Sequence, residues 1–341
     1  MKKLLIRSPD CVPIAGATRG AIYDLGRRKY YIIPNEFIEL ISEKTINYDA
    51  WLQKYPGTEE HQTLSSFRDF LIQKELVLFC SEDLVPHIME LRMNYDNPGH
   101  IFNTIIDFES WSPYNLGQFI STASEIGARH FLIRSYNSHL NEQDLDLIYN
   151  QFIDSPVRSF EIIAKYNPVL YQKAKVTIGD NPRCKSIVLH SAPFNECIHS
   201  EKGIAMEIFA ATTQSITGPN DCYNNSIDYM NVNVELFLEA QQFHTYYYKK
   251  VCIDQNGLIK NCTSHGNDFG RFSPDTLLAV VTSSRFQKLW FAKKDDTEIC
   301  RNCEFKYMCV DSREIFQKDN TSWFHKSPCN YDPKKSLWKD E

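Results

Sequence analysis

Ile101-Phe-Asn-Thr-Ile-Ile-Asp-Phe108 is the first of four short apolar runs that decide how this chain folds. His130 to Arg134, Phe160 to Ala164 and Ser186 to His190 follow at intervals of about 25 to 30 residues, enough for a crossover between parallel strands. Two of the intervening stretches, Tyr114 to Ile126 and Asn141 to Phe152, carry apolar residues at helical spacing, so strand and helix alternate. That alternation predicts an α/β fold over residues 96–215: a parallel sheet with crossover helices, closing as a partial or full βα barrel. Gly127 sits where the first crossover helix needs a C-terminal cap.

On the N-terminal side, residues 1–95 read as a smaller α+β unit. Gly20 to Leu25 and Tyr30 to Ile33 are strand-like runs joined by the polar turn Gly26-Arg27-Arg28-Lys29, which predicts a hairpin. Pro34-Asn35 opens an amphipathic helix with Phe37, Ile38, Leu40 and Ile41 on one side, and Asn35 is placed to cap it. A second helix from Thr63 to Gln73 and a closing strand from Glu75 to Phe79 complete a winged-helix-like module. On the C-terminal side, residues 216–341 show a helix from Val232 to Phe243, a hairpin across Asp254 to Gly257 and little other rhythm, yet hold seven of the eleven cysteines.

Composition narrows the function classes. At 341 residues the chain exceeds one ordinary core, which fits these three parts. A net charge of -6 supplies no global field for a phosphate backbone, so nucleic acid is not expected as a partner. The basic, apolar start at Met1 to Ile6 is stopped by Arg7-Ser-Pro-Asp10 before it reaches the length of a signal peptide. No window approaches the roughly 18 apolar residues of a membrane span, so the expected location is the cytoplasm. Thiols stay reduced there, and the cysteines read as core residues or metal ligands rather than disulfides.

The strongest chemical signal is Cys300-Arg-Asn-Cys303, then Cys309, then Cys329. A Cys-x-x-Cys turn lets two thiolates reach one metal from a single loop, and the two later thiols complete four ligands. The expected cofactor is one [4Fe-4S] cluster, with zinc on the same four residues as the alternative. Cys252 and Cys262 flank Gly257 and are either further metal thiols or buried core residues. Cys11, Cys80, Cys184, Cys197 and Cys222 read as core filling. His190, His199 and His244 are scattered and read as structural. Asp107 and Glu109 share a face at the end of the first long strand, where two solvated loop carboxylates are the default reading. No catalytic residue is assigned.

At these cysteines the chain resembles a known family. Gly257-x4-Cys262, Cys300-x2-Cys303-x5-Cys309 and Cys329 are similar to the SPASM domain, the auxiliary-cluster domain of radical-SAM peptide maturases. The resemblance implies a radical-SAM-like barrel ahead of a cysteine-rich SPASM-like domain. Two departures qualify it. The family has a further cysteine where this chain has Arg313, and it supplies more thiols upstream, where this chain has Tyr246, Tyr247 and Tyr248. The first auxiliary cluster is therefore expected to be lost and the second kept. The family's Cys-x3-Cys-x2-Cys motif is also absent after Phe108, where the chain runs Glu109-Ser-Trp-Ser-Pro-Tyr-Asn-Leu116. S-adenosylmethionine is accordingly not expected as a cofactor, nor is radical-SAM catalysis.

Over its full length the chain resembles the SPASM-domain protein of grasp-with-spasm systems, through Cys11-Val-Pro-Ile-Ala-Gly-Ala-Thr-Arg-Gly-Ala-Ile-Tyr-Asp24, Ile33-Pro-Asn35 and Cys303-Glu-Phe-Lys-Tyr-Met-Cys-Val-Asp311. That resemblance implies an accessory role in graspetide-type ribosomal peptide maturation, with a precursor peptide and an ATP-grasp ligase as partners. Whether the chain forms a homodimer stays open. It also implies a precursor-recognition surface in the first 95 residues, for which Tyr23, Leu25, Arg27, Tyr30 and Arg68 are the expected contacts. The alternatives are a redox peptide-modifying enzyme that uses the remaining cluster and a zinc-binding interaction protein.

Overall fold

The structure, a computed structural model, describes residues 3–137, 140–200, 207–222, 227 and 230–339. The N-terminal part holds β1 (Lys3–Arg7), β2 (Cys11–Ile14), β3 (Arg19–Asp24), β4 (Lys29–Pro34), α1 (Glu36–Leu40), β5 (Thr45–Ile46), α2 (Tyr48–Lys54), α3 (Thr58–Gln73) and β6 (Val77–Ser81). They form two antiparallel sheets, β5-β1-β6 and β2-β3-β4. The apolar start of the chain is thus spent as the central strand of the first sheet. The helix α3 turns Leu64, Phe67 and Leu71 into a core with Leu5, Ile22, Ile33 and Trp51, so one core serves both sheets. The expected hairpin is β3–β4, paired from Arg19↔Pro34 to Asp24↔Lys29. Asn35 does not cap α1: its own backbone is helical, and its side-chain amide donates to Gly16 O at 3.0 Å.

The four apolar runs become β7 (Asn103–Asp107), β8 (His130–Arg134), β9 (Ser159–Lys165) and β10 (Cys184–His190), with α4 (Leu116–Glu125), α5 (Glu142–Gln151) and α6 (Pro168–Thr177) as crossovers. Then come β11 (Glu196–Ser200), β12 (Glu207–Ala211), α7 (Val234–Gln242), β13 (Lys250–Ile253) and β14 (Ile259–Lys260). The sheet order is β11-β12-β10-β9-β8-β7-β13-β14. The inner six strands run parallel, and β11 and β14 add antiparallel edges. Ile105, Ile106, Ile133, Ile162, Ile187 and Leu189 are buried, as a sheet covered on both faces requires. Among the described residues the pairing is a row with two end strands. The architecture is mixed α/β around this mostly parallel sheet.

Four of its helices start in the same way. Asn115, Asn141, Asn167 and Asn233 each accept from the backbone N–H three residues on, and Asn141 is answered by Asp144 in a full capping box. Each such cap is worth about 1 kcal/mol. Gly127 closes the turn after α4 at φ +117°, where a Cβ would fall 2.7 Å from Gly99 Cα, so only glycine fits.

After β14 the chain runs through α8 (Pro274–Thr282) and α9 (Ser284–Gln287) into two short ladders, β15 (Ile315–Gln317) with β16 (Trp323–His325) and β17 (Tyr331–Asp332) with β18 (Leu337–Trp338). A third core joins the two ends of the chain: Ile14, Ala21, Tyr23 and Leu25 pack with Phe305, Met308, Tyr331 and Trp338. Among the described residues no helix is long and apolar enough to cross a membrane.

Candidate metal centre and its surroundings

Cys300, Cys303, Cys309 and Cys329 line one small pocket with Ile299, Lys294, Asp311 and Arg313. Local backbone geometry delivers the first two thiols. Ile299 takes φ +68°, a left-handed conformation that a β-branched residue rarely adopts, and the chain then tightens into a single 3-10 turn over Cys300–Asn302. Strain of this kind persists where the surroundings enforce it. Cys303 and Cys329 also lie against the third core, so the pocket is seated on the joined chain ends.

The charges around the pocket suit an anionic centre. Lys294 is 1% exposed and pairs with Asp311 at 3.1 Å; Arg313 pairs with the same carboxylate at 2.6 Å. Burial opposes a charge on Asp311, yet Lys294 and Arg313 hold it well below the usual carboxylate range. Burial likewise opposes the Lys294 ammonium, while Asp311, Cys309 and Cys300 hold its value up. Two buried cations share one carboxylate beside the thiols, and that carboxylate itself raises Cys300 and Cys309. Burial raises the Cys300 and Cys303 thiols and pushes Cys309 up to about 12, with Lys294 pulling Cys300 and Cys309 the other way. Cys300, Cys303 and Cys309, which burial keeps protonated, line the pocket with Cys329 as a donor set whose protons a metal would displace.

The second cysteine neighbourhood is built differently. Cys252 is fully buried on β13 and its thiol donates to Asn261 O at 3.3 Å. Cys262 lies 3.2 Å from the Tyr246 hydroxyl and 3.1 Å from Ser264 Oγ. The fully buried Tyr247 donates to Arg313 O at 2.7 Å and contacts His265 Nε2 at 3.1 Å. Phenol and imidazole rings therefore occupy the space between Cys262 and the backbone of Arg313. The Arg313 guanidinium turns away from them, to Asp311 and to Ser327 O at 2.8 Å. Both thiols have protein hydrogen-bond partners, and burial raises Cys252.

The carboxylates at the end of β7 are not solvated. Asp107 is 3% exposed and accepts from Arg134 Nε at 2.7 Å and from the Tyr136 hydroxyl at 3.0 Å. Glu109 is fully buried and accepts the N–H groups of Tyr136 and Asn137 at 2.8 and 3.0 Å. They are charged struts that fix the loop after β8, because desolvated carboxylates need such partners. His190 is buried with its Nε2 donating to Ser135 O, a structural role as expected.

The five expected peptide contacts separate. Tyr23 is fully buried and donates to Glu304 O at 2.6 Å; Leu25 is 2% exposed in the third core. The hairpin is an interior wall at these two positions, not a free surface. Tyr30 packs edge-on to Phe305, and Arg27 pairs with Asp24 and Glu75. Arg68 alone lines a groove, a cavity of about 540 Å³ whose walls include Leu4, Leu5, Ile46, Tyr48, Ile72 and Phe79. These wall residues escaped the sequence reading because they come from five separate elements; the exposed Phe79, apolar on β6, was the available signal. Lys294 and Asp311 were missed for the same reason. Of the single cysteines, Cys11, Cys80 and Cys184 are buried, whereas Cys197 is exposed on an edge strand and fills no core. The Cys222 side chain lies outside the described residues.

In comparisons with known proteins, no family model, no curated protein and no solved structure matches this chain.

Proposed function

We propose that this chain is an accessory protein of graspetide-type peptide maturation, acting in the cytoplasm: it binds the leader of a ribosomally made precursor and assists a partner ATP-grasp ligase. The observation that carries the binding half is the groove beside β5. That strand is the outer strand of β5-β1-β6, paired only to β1 among the described residues, and the groove beside it is walled by Leu4, Ile46, Ile72 and Phe79. A free strand edge next to an apolar trough is what an extended peptide needs, with main-chain hydrogen bonds for affinity and alternate side chains for specificity. Arg68, over the Tyr48 ring at 4.6 Å and paired with Asp69, frames one end. The recognition surface is thus assigned to the β5 groove instead of the β3–β4 hairpin.

Cys300, Cys303, Cys309 and Cys329 would hold the metal centre, read as one [4Fe-4S] cluster. When bound, such a group supplies cross-links between three loop segments that share a small apolar core. With four thiolates and no radical-SAM motif, its role in this reading is a clasp that fixes the joined chain ends beneath the β2-β3-β4 sheet. Anaerobic purification followed by iron, sulfide and zinc analysis tests the metal, and about four irons per chain is expected. Zinc alone would replace the cluster reading with the zinc one.

The binding half is tested by fluorescence anisotropy of a labelled leader peptide titrated with the purified protein. Wild type is expected to bind, and Ile46→Asp to weaken binding about tenfold or more by placing a charge in the trough. Absence of binding by well-folded wild type would sink the proposal. A mass change in the precursor treated with this protein alone would favour the redox-enzyme alternative.

A further inference from the structure

A cavity of about 280 Å³ lies between the loop after β14, the end of α9 and the β15–β16 ladder. It shares no lining residue with the thiol pocket or with the β5 groove. Its buried lining is polar as well as aromatic. Asn261 is 5% exposed and donates its side-chain N–H to Phe286 O at 3.1 Å. That carbonyl only accepts, so the orientation of the amide is fixed, and Asn261 Oδ1 is left without a donor among the described residues. A desolvated acceptor is costly until a ligand or water donates to it.

Charges of both signs border the same cavity without meeting. Arg285 lies over the Phe269 ring at 5.1 Å and reaches the Asp268 carbonyl at 3.4 Å. Lys288, three residues on, and Glu314, on the β15 side, also line the cavity, and neither makes an ion pair among the described residues. Phe269, Phe316 and Trp323 add ring surface to the walls. A simple anion would satisfy the two cations and be repelled by Glu314. A simple cation would meet the reverse problem. A ligand that carries both charges, with an N–H to spare for Asn261 Oδ1, satisfies all four groups. Pockets for drug-sized ligands start at about 300 Å³, so this cavity suits a ligand the size of one amino acid.

We propose that this cavity binds a free aromatic α-amino acid as its zwitterion. The carboxylate faces Arg285 and Lys288, the ammonium faces Glu314 and Asn261 Oδ1, and the ring packs among Phe269, Phe316 and Trp323. The site stands independently of the metal-centre and peptide-binding readings.

The test titrates the purified full chain with L-phenylalanine, followed by ligand-observed NMR. Binding at about 1 mM or tighter is expected. N-acetyl-L-phenylalanine, which lacks the ammonium, L-phenylalaninamide, which lacks the carboxylate, and L-alanine, which lacks the ring, should each bind about tenfold or more weakly. Two variants assign the ends. Glu314→Gln should weaken L-phenylalanine but bind N-acetyl-L-phenylalanine as wild type does. Lys288→Met should weaken L-phenylalanine but bind L-phenylalaninamide as wild type does. A variant that only disturbs the fold weakens every ligand alike, so this selectivity separates recognition from stability. Well-folded wild type that ignores L-phenylalanine, or that binds the blocked analogues equally well, overturns the proposal. Tighter binding of the tripeptide Gly-Gly-Phe than of L-phenylalanine also overturns it, by giving the cavity to a peptide end.

Discussion

Two cysteine neighbourhoods lie close together in the C-terminal part, and they solve the same packing problem in opposite ways. Around Cys300, Cys303, Cys309 and Cys329 the side chains leave a pocket and gather charged groups beside the thiols. Around Cys252 and Cys262 the space is filled by Tyr246, Tyr247 and His265, and each thiol has a hydrogen bond. Arg313 is the seam, with its carbonyl facing Tyr247 and its guanidinium facing Asp311. The difference teaches that cysteine number alone does not define a site: what surrounds the thiols decides whether a pocket or a ring occupies the space between them.

The largest effect should come from Cys303→Ser. Removing one of four ligands is expected to abolish metal binding and lower stability by more than about 3 kcal/mol, read by metal analysis and thermal unfolding, since binding free energy at such a site is folding free energy. Cys262→Ser should leave metal content unchanged and lower stability by about 1 kcal/mol. Equal metal loss in both variants would erase the contrast between the two regions.

Arg313→Cys probes the seam. It restores a thiol where the resembling family has one, yet it strips Asp311 of a buried partner, and about 3 kcal/mol of stability should be lost. Iron per chain should not rise, because Tyr246 and Tyr247 fill the space a second cluster would need. A rise in iron would show that the filled region can still open.

Acid probes the filled region next. Burial lowers His265 to about 4, against about 6.5 in the unfolded chain. Between those values the unfolded state binds a proton that the folded state refuses. The stability held at pH 7 is therefore lost as pH falls from about 6.5 to about 4, on the order of 3 kcal/mol. His265→Gln should flatten this limb in pH-dependent unfolding, although it also weakens the contact with Tyr247 at every pH.

The smallest effect concerns Ile299. With the residue 62% exposed and its φ at +68°, Ile299→Gly relieves strain while losing little packing. A gain of up to about 1 kcal/mol with unchanged metal content is expected in denaturant unfolding. A loss of metal would mean that the isoleucine, not the backbone turn, positions Cys300.

The βα rhythm was legible because its signal is local: β-branched runs such as Ile105-Ile106 and Ile162-Ile163 are bounded by helices of 3.6 periodicity, and strand His130–Arg134 falls where its residues predict. The Cys300 to Cys329 spacing was legible for the same reason. Tyr23 and Leu25 misled because alternation on a hairpin marks two faces without saying which neighbour covers them; here the chain's own C-terminal end does. Asp107 and Glu109 misled because a carboxylate's burial depends on partners such as Arg134 and the Tyr136 N–H, 27 residues away.

Residue order alone was thus enough to establish the strand–helix alternation, the hairpin and the four-thiol set, since each follows from periodicity or short spacing within one segment. Folding in space settled everything that depends on distant segments meeting: the return of β13 beside β7, the seating of the thiol pocket on the joined chain ends, and the rings beside Cys262. The physical reason is that burial and polar satisfaction are properties of a neighbourhood, and the neighbours of these residues come from elsewhere in the chain.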